Sequence, residues 1–437
     1  MKKGVLLPIF SLPSKYGIGD FGYEAYEFIK ILKENDIDYW EILPINEAGQ
    51  YPYSPISFYA LNKNYISIDK LIEMGLLESA EEIPSCDKIV YNNYKEKYYK
   101  KAFKKFKVTE EFLRFSLNSR MQEFAKYMSQ IEGEKIEYYL FLQYILDKQW
   151  KELKDFANEN NVKLIGDLPI YPSFNSCEVK YHSECYELAN GKMEYVSGAS
   201  PDYFNKDGQK WGHPLYNFNE MKKDRYKYLI DRYEEFLKKF DIIRIDHFRA
   251  FDTYYKIPIE KDAKDGFYVE GPGKDFFDEL FNYTTPDRFI VEDLGDIRKE
   301  TEELRDIYNF PKMKILQYTI NLKTLQDEYS DTDNMVVYTG NHDNNTIIGW
   351  YNSLNDIDKE NVRMFLINNN CNYPKINVAF IKYCLKSKAK IVIIPVQDII
   401  GLDEKARINV PGDEYRDNWC WKLEDFDKLK ECISVLR

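Results

Sequence analysis

Apolar residues fall along the chain in short dense runs, separated by longer stretches of helical spacing. The runs are VLLPIF (5–10), DYWEILPI (38–45), VKLIGDLPI (162–170), DIIRIDHF (241–248), RFIVEDLG (288–295), MKILQYTI (313–320), NMVVYTG (334–340) and KIVIIPVQD (390–398). Runs of this length, rich in β-branched residues, predict buried strands. Between them, GYEAYEFIKILKEN (22–35) and DRYKYLIDRYEEFLKKF (224–240) repeat apolar side chains at helical spacing. Strands alternating with helices predict parallel βαβ units, and eight of them predict an α/β fold closed into a (β/α)8 TIM barrel. A doubly wound open sheet is the alternative, but no GxGxxG follows any run to favour it.

Two spacings exceed a simple crossover. The organisation expected is a single catalytic barrel over residues 1–437. A mainly helical subdomain is inserted at 46–161 after strand 2, and a second insertion at 171–240 after strand 3 shapes the cleft. Within the first, YNNYKEKYYKKAFKKFK (91–107) interleaves lysine with aromatics. RNA or lipid binding is one reading of that pattern; an amphipathic helix with a solvated lysine face is the other.

Totals narrow the choice. A net charge of −12 disfavours nucleic acid or an anionic membrane as partner. Seven cysteines, at 86, 177, 185, 371, 384, 420 and 432, form no CxxC pair and predict free thiols in a reducing compartment. The first residues, MKKGVLLPIFSLPSKYG, lack a signal-length apolar core, and no run approaches the roughly 18 apolar residues of a membrane span. The expectation is cytoplasmic.

In a barrel, the active site is built at the carboxyl ends of the strands. Four predicted strand ends each deliver an acid: Asp167, then Arg244-Ile245-Asp246-His247, then Glu292-Asp293, then His342-Asp343. A single Asp after a strand is ordinarily a helix cap. Several converging beside an arginine suit glycosyl transfer, in which one ionised carboxylate attacks and one protonated carboxyl donates. Arg244 and Asp246, two apart, share a face of their strand. Arg244 is expected to hold Asp246 ionised, and like-charge crowding to raise the pKa of Glu292. A metal site on His247 and His342 fits less well, with only four histidines in the chain. No GxSxG or P-loop occurs.

RIDHFRAF, VEDLG and YTGNHDNNT, in this order, resemble the amylomaltases, the 4-α-glucanotransferases of glycoside hydrolase family 77. The likeness extends to GVLLPIFSLPSKYGIGDFG, PYSPISFYALNKNYISID, GDLPIYPSFNS, SGASPDYFNKDGQKWGHPLYNF, PVQDIIGL and NVPGDEYRDNWCWKL. The resemblance implies Asp246 as nucleophile, Glu292 as general acid/base and Asp343 as stabiliser of the transition state. It places Arg244, His247 and His342 beside the donor sugar, and Tyr53, Asp167, Gln209 and Trp211 at glucan contacts. It implies no cofactor and no metal, calcium included. The partners it implies are maltooligosaccharides and α-1,4-glucans, and the state expected is a monomer or weak homo-oligomer. Asn345 and Asn62-Lys63 depart from the family's pattern, and the segment after the second strand is shorter. An α-amylase-type hydrolase and a non-catalytic glycan-binding barrel are the competing readings.

Overall fold

The computed structural model describes residues 1–49, 51–83, 87–201, 206–328, 332–413 and 417–437. Parts of two motifs quoted above, 202–205 and 414–416, and Cys86 lie outside the described residues.

The barrel strands are β1 (Lys2–Leu6), β2 (Tyr39–Ile42), β3 (Lys163–Leu168), β4 (Ile242–Ile245), β5 (Phe289–Val291), β6 (Lys312–Ile315), β7 (Met335–Tyr338) and β8 (Ile391–Pro395). They pair in parallel in the order β6-β7-β8-β1-β2-β3-β4-β5, and the end strands β5 and β6 lie side by side. The fold is the predicted (β/α)8 barrel. Most runs overshoot their strands. β1 ends at Leu6, and Ile9–Ser11 form a short helical turn instead; β8 gives way directly to the helix Val396–Ile400. The overshoot arises because loop residues at the mouth, such as Leu7, Ile9, Leu43, Ile45, Ile170 and Phe248, are themselves buried. Periodicity alone does not separate an apolar strand from an apolar loop.

The crossover helices include α1 (Tyr23–Glu34) after β1, α2 (Lys88–Lys105), α3 (Ser119–Glu132) and α4 (Ile136–Glu159) after β2, and α5 (Lys227–Lys239) after β3. After β4 comes α6 (Gly273–Leu280), and after β5 comes α7 (Lys299–Ile307). α1 buries Ala25, Phe28, Ile29, Ile31 and Leu32 on one stripe, and Phe28 meets Trp40 of β2 edge-on at 4.9 Å. Gly166 in β3 is fixed by packing: a Cβ there would lie 2.3 Å from the Phe240 ring. A four-stranded antiparallel sheet of Gln209–Lys210, Tyr195–Ala199, Thr253–Pro258 and Phe267–Glu270 was not foreseen from sequence.

The lysine-aromatic stretch forms α2, which turns Tyr91, Tyr98, Tyr99 and Ala102 inward as an amphipathic helix would. One lysine breaks the expected solvated face. Lys95 is 0% exposed, and its Nζ meets Asp20 Oδ2 at 3.1 Å and the Asn64 carbonyl oxygen at 2.7 Å. Among the described residues, no helix is long and apolar enough to cross a membrane.

The barrel interior carries charge. Glu41 of β2, 1% exposed, accepts a hydrogen bond from the Tyr338 hydroxyl of β7 at 2.9 Å. Burial pushes its carboxyl from the ordinary 4.5 up to about 7, against the opposing charge of Arg244. Such a group binds its proton more tightly folded than unfolded. Its stability contribution is therefore full below about pH 4.5 and is lost as pH rises to about 7. Glu41→Gln keeps an acceptor for Tyr338 and removes the titration. Denaturant unfolding at pH 5 and pH 8 should show the variant gaining about 3 kcal/mol on the parent between the two pH values. Parallel stabilities would show that Glu41 is already ionised in the fold.

Candidate active site

The site is built around the Arg244 guanidinium, 2% exposed at the end of β4. Asp167 is its lateral neighbour in the β3–β4 ladder, and Arg244 Nη1 donates to both Asp167 carboxylate oxygens at 2.8 Å. The same nitrogen lies 3.6 Å from Asp246 Oδ1, and Nη2 lies 3.2 Å from Glu292 Oε2. One guanidinium thus faces three carboxylates, the planar fork geometry that suits arginine rather than lysine.

Each acid is held by backbone as well. Asp246 stands one residue past β4, and its Oδ2 accepts from the Ile170 N–H at 3.4 Å. Glu292 stands one residue past β5, yet its N–H still donates to the Ile245 carbonyl at 3.0 Å, extending the ladder. Its Oε2 accepts the His247 N–H at 2.8 Å. To present that N–H, His247 adopts φ +49°, in the left-handed region that a non-glycine residue enters at a cost of order 1 kcal/mol. Such strain concentrates at functional sites.

The charge distribution reverses the sequence expectation. Asp246 is driven well above the usual carboxylate range, first by burial and then by Glu292, with Arg244 opposing. Burial would raise Glu292 too, but Arg244 and the His247 N–H outweigh it and hold it below its ordinary value. The reason is distance: Glu292 has the closer arginine nitrogen and the shorter backbone donor.

The remaining candidates close around this core. The Tyr53 hydroxyl donates to Asp167 Oδ2 at 2.7 Å, and its ring stacks on His342 at 5.0 Å. His342 Nε2 reaches Asp343 Oδ2 at 3.4 Å. Trp211 meets His247 edge-on at 4.7 Å, and its indole N–H donates to Gln209 Oε1 at 3.0 Å. His247 is held well below its ordinary value, at about 4, chiefly by burial, and so is neutral. All ten sequence-predicted residues join one connected set of contacts.

Other contributors were not singled out from the sequence. Asn409, after β8, donates from Nδ2 to Asp343 Oδ1 at 2.6 Å, and its N–H donates to the His342 carbonyl at 3.1 Å. Arg407 Nη2 donates to the Asp343 carbonyl at 2.6 Å. Trp419 packs against Tyr53 and His342. Tyr318, in the turn after β6, is 42% exposed, and its phenol is raised by partial burial and then by the charge of Asp343. Asn409 and Trp419 both lie in the quoted stretch NVPGDEYRDNWCWKL, and that membership was their pointer in the sequence. Among the described residues, no group of three or more His, Cys, Asp or Glu is arranged to hold a metal ion.

Comparison with known proteins places this geometry. The glycoside hydrolase family 77 profile, described as 4-alpha-glucanotransferase, matches residues 7–132 and 116–428. A 4-alpha-glucanotransferase of Aquifex aeolicus is 35% identical over 99% of this chain and 98% of its own. A chloroplastic/amyloplastic 4-alpha-glucanotransferase of Solanum tuberosum is 32% identical over 100% of this chain and 85% of its own. The structure of an amylomaltase from Streptococcus agalactiae in complex with acarbose superimposes with a TM-score of 0.91, at 28% identity over 99% of this chain and 98% of that one. Matched end to end by the profile and by relatives above 30% identity, the chain belongs to glycoside hydrolase family 77, the 4-alpha-glucanotransferases.

Proposed function

We propose that this enzyme moves α-1,4-glucan segments from a donor maltooligosaccharide to the 4-OH of an acceptor glucan or glucose, by retaining double displacement on Asp246, Glu292 and Asp343. The observation that carries the assignment of residues is the Arg244 fork, within 3.6 Å of Asp246 and 3.2 Å of Glu292. It holds two acids together in a site where both are about one-fifth exposed, at 19%.

Asp246 attacks the anomeric carbon while Glu292 protonates the departing glycosidic oxygen, giving a β-linked glucosyl-enzyme. The acceptor 4-OH then attacks with Glu292 as base, and two inversions restore the α configuration. Asp343, aimed by Asn409, offers negative charge to the oxocarbenium-like transition state. The first step needs a proton on Glu292, and the glycosidic oxygen of a bound glucan accepts the hydrogen bond of that protonated carboxyl. Neutral His247 and Trp211 wall the site, and Tyr53 with His342 forms a flat surface for a sugar ring.

The insertions serve the cleft in this reading. Segment 46–161 carries Tyr53 and packs helices α2–α4 beside the barrel; segment 171–240 carries Gln209 and Trp211. We assign the enzyme to the cytoplasm as a monomer or weak homo-oligomer, acting without nucleic acid or membrane. Support comes from the −12 net charge and from the buried Cys177, Cys185, Cys371 and Cys384, which form no disulfide.

Incubation with maltotriose, without added metal, should give glucose and a ladder of longer maltooligosaccharides on chromatography. Maltose and glucose alone would mean water is the acceptor, and no products would favour the binding-barrel reading. Asp246→Asn should abolish transfer while leaving the fold intact by circular dichroism. Asn409→Ala should lower kcat on the order of 10²-fold, the effect expected when a catalytic carboxylate loses its aim, with KM little changed. A drop confined to KM would make Asn409 a binding residue instead.

A further inference from the structure

Asp293 is the acid at a strand end that this mechanism leaves unused. It follows Glu292 directly, is 5% exposed, and meets Met313 and Arg305 where, among the described residues, the barrel lacks a ladder. Among those residues β5, three residues long, is laddered to β4: Ile243 with Phe289, Arg244 with Ile290, Ile245 with Val291. β6 is laddered to β7. No strand pairing joins β5 to β6 among the described residues, although the two lie side by side.

The Asp293 side chain occupies this seam. Its Oδ1 accepts the β6 backbone N–H of Met313 at 2.8 Å, so a carboxylate stands where a strand carbonyl would otherwise serve. Its Oδ2 accepts from Arg305 Nη1 of α7 at 2.7 Å, and Arg305 is itself only 6% exposed. Three pieces of chain, the end of β5, β6 and the intervening helix, thus meet on one carboxylate. Consecutive residues of extended chain point to opposite sides, so the peptide that seats Asp293 in the seam sets the direction of Glu292 toward Arg244 and the His247 N–H.

We infer that Asp293 is a positioning residue: by closing the β5–β6 seam through Met313 and Arg305, it fixes the carboxyl of Glu292 at the depth and angle proton transfer requires. This rests on the role of Glu292 proposed above. A displacement near 1 Å at a catalytic group costs on the order of 10²-fold in rate, and general acid catalysis is worth 10²–10⁴-fold.

The test compares two donors in the parent enzyme, Asp293→Ala and Asp293→Asn. With maltotriose, the leaving sugar needs a proton from Glu292. With α-maltosyl fluoride and a glucose acceptor, the leaving fluoride needs none, so formation of the covalent maltosyl-enzyme is independent of that proton. Asp293→Ala should lose on the order of 10²-fold in kcat on maltotriose, with KM within a few-fold, and shift the basic limb of the pH–rate profile. Formation of the maltosyl-enzyme from the fluoride, read as the burst of fluoride release, should stay within a few-fold of the parent. Asp293→Asn, which keeps an acceptor for Met313, should recover most of the maltotriose rate. Equal losses on both donors, or an unmoved pH profile, would make Asp293 a structural residue only and overturn the inference. If Asp293→Ala does not fold, Asp293→Ser, too short to bridge β6 and α7, takes its place. A parent enzyme inactive on both donors would instead refute the proposed function, so the two failures are distinct.

Discussion

A guanidinium buried in the heart of a barrel must be neutralised, and most of this site can be derived from how that is done. Desolvating an isolated charge costs several kcal/mol, so Arg244 is tolerable at 2% exposure only with partners in good geometry. Asp167 supplies the full partner, bonded through both oxygens from the adjacent strand. The rest of the fork is left to Asp246 and Glu292, which are thereby held near one another despite their repulsion. The isoleucines of β4 place the arginine deep; the β3–β4 register places Asp167 beside it. A lysine at this position would give one acid its charge but could not reach three.

The same arginine couples the two acids: two carboxyls sharing one cation in a low-dielectric pocket titrate as a pair. Asp246 is raised, first by burial and then by Glu292, and its arginine contact and backbone donor are both longer than those of Glu292, where Arg244 and the His247 N–H outweigh burial. In the proposed mechanism a bound glucan offers its bridging oxygen to Glu292, so the substrate enters the electrostatics of the pair as well as its geometry.

The eight strands and the acids at their ends were legible because both are local signals: a dense apolar run, then a charge where a buried run should not have one. Ten site residues were found that way or through the quoted motifs. What stayed hidden depends on distance in space. Asn409 meets Asp343 across 66 positions of sequence, with no periodicity to announce it. Lys95 looked like one more solvated lysine until the chain brought Asp20 beneath it. The antiparallel sheet that includes Thr253–Pro258 and Phe267–Glu270 lies partly between β4 and β5, where the long-spacing argument had no reason to look. The shifts of Asp246 and Glu292, opposite in direction to those expected, had a different cause. Sequence shows Arg244 and Asp246 along one strand, but not that burial outweighs Arg244 at Asp246 while Arg244 and the His247 N–H outweigh burial at Glu292.

The two catalytic candidates sit in unequal surroundings. Asp246 follows a strand laddered on both sides, to β3 and to β5, so its backbone is braced in the sheet plane. Glu292 follows a three-residue strand laddered on one side only, and what braces the other side is a side chain, Asp293. In the proposed roles their tasks are unequal too. A nucleophile must be in one place, because the bond it forms has a fixed length and direction. An acid that becomes a base must meet a donor oxygen and later an acceptor oxygen, which enter on different molecules. Holding the second group by a carboxylate bridge concentrates its alignment in two hydrogen bonds, to Met313 and Arg305. The seam without a ladder and the proposed proton donor are therefore adjacent along the chain, and the packing of one bears on the aim of the other.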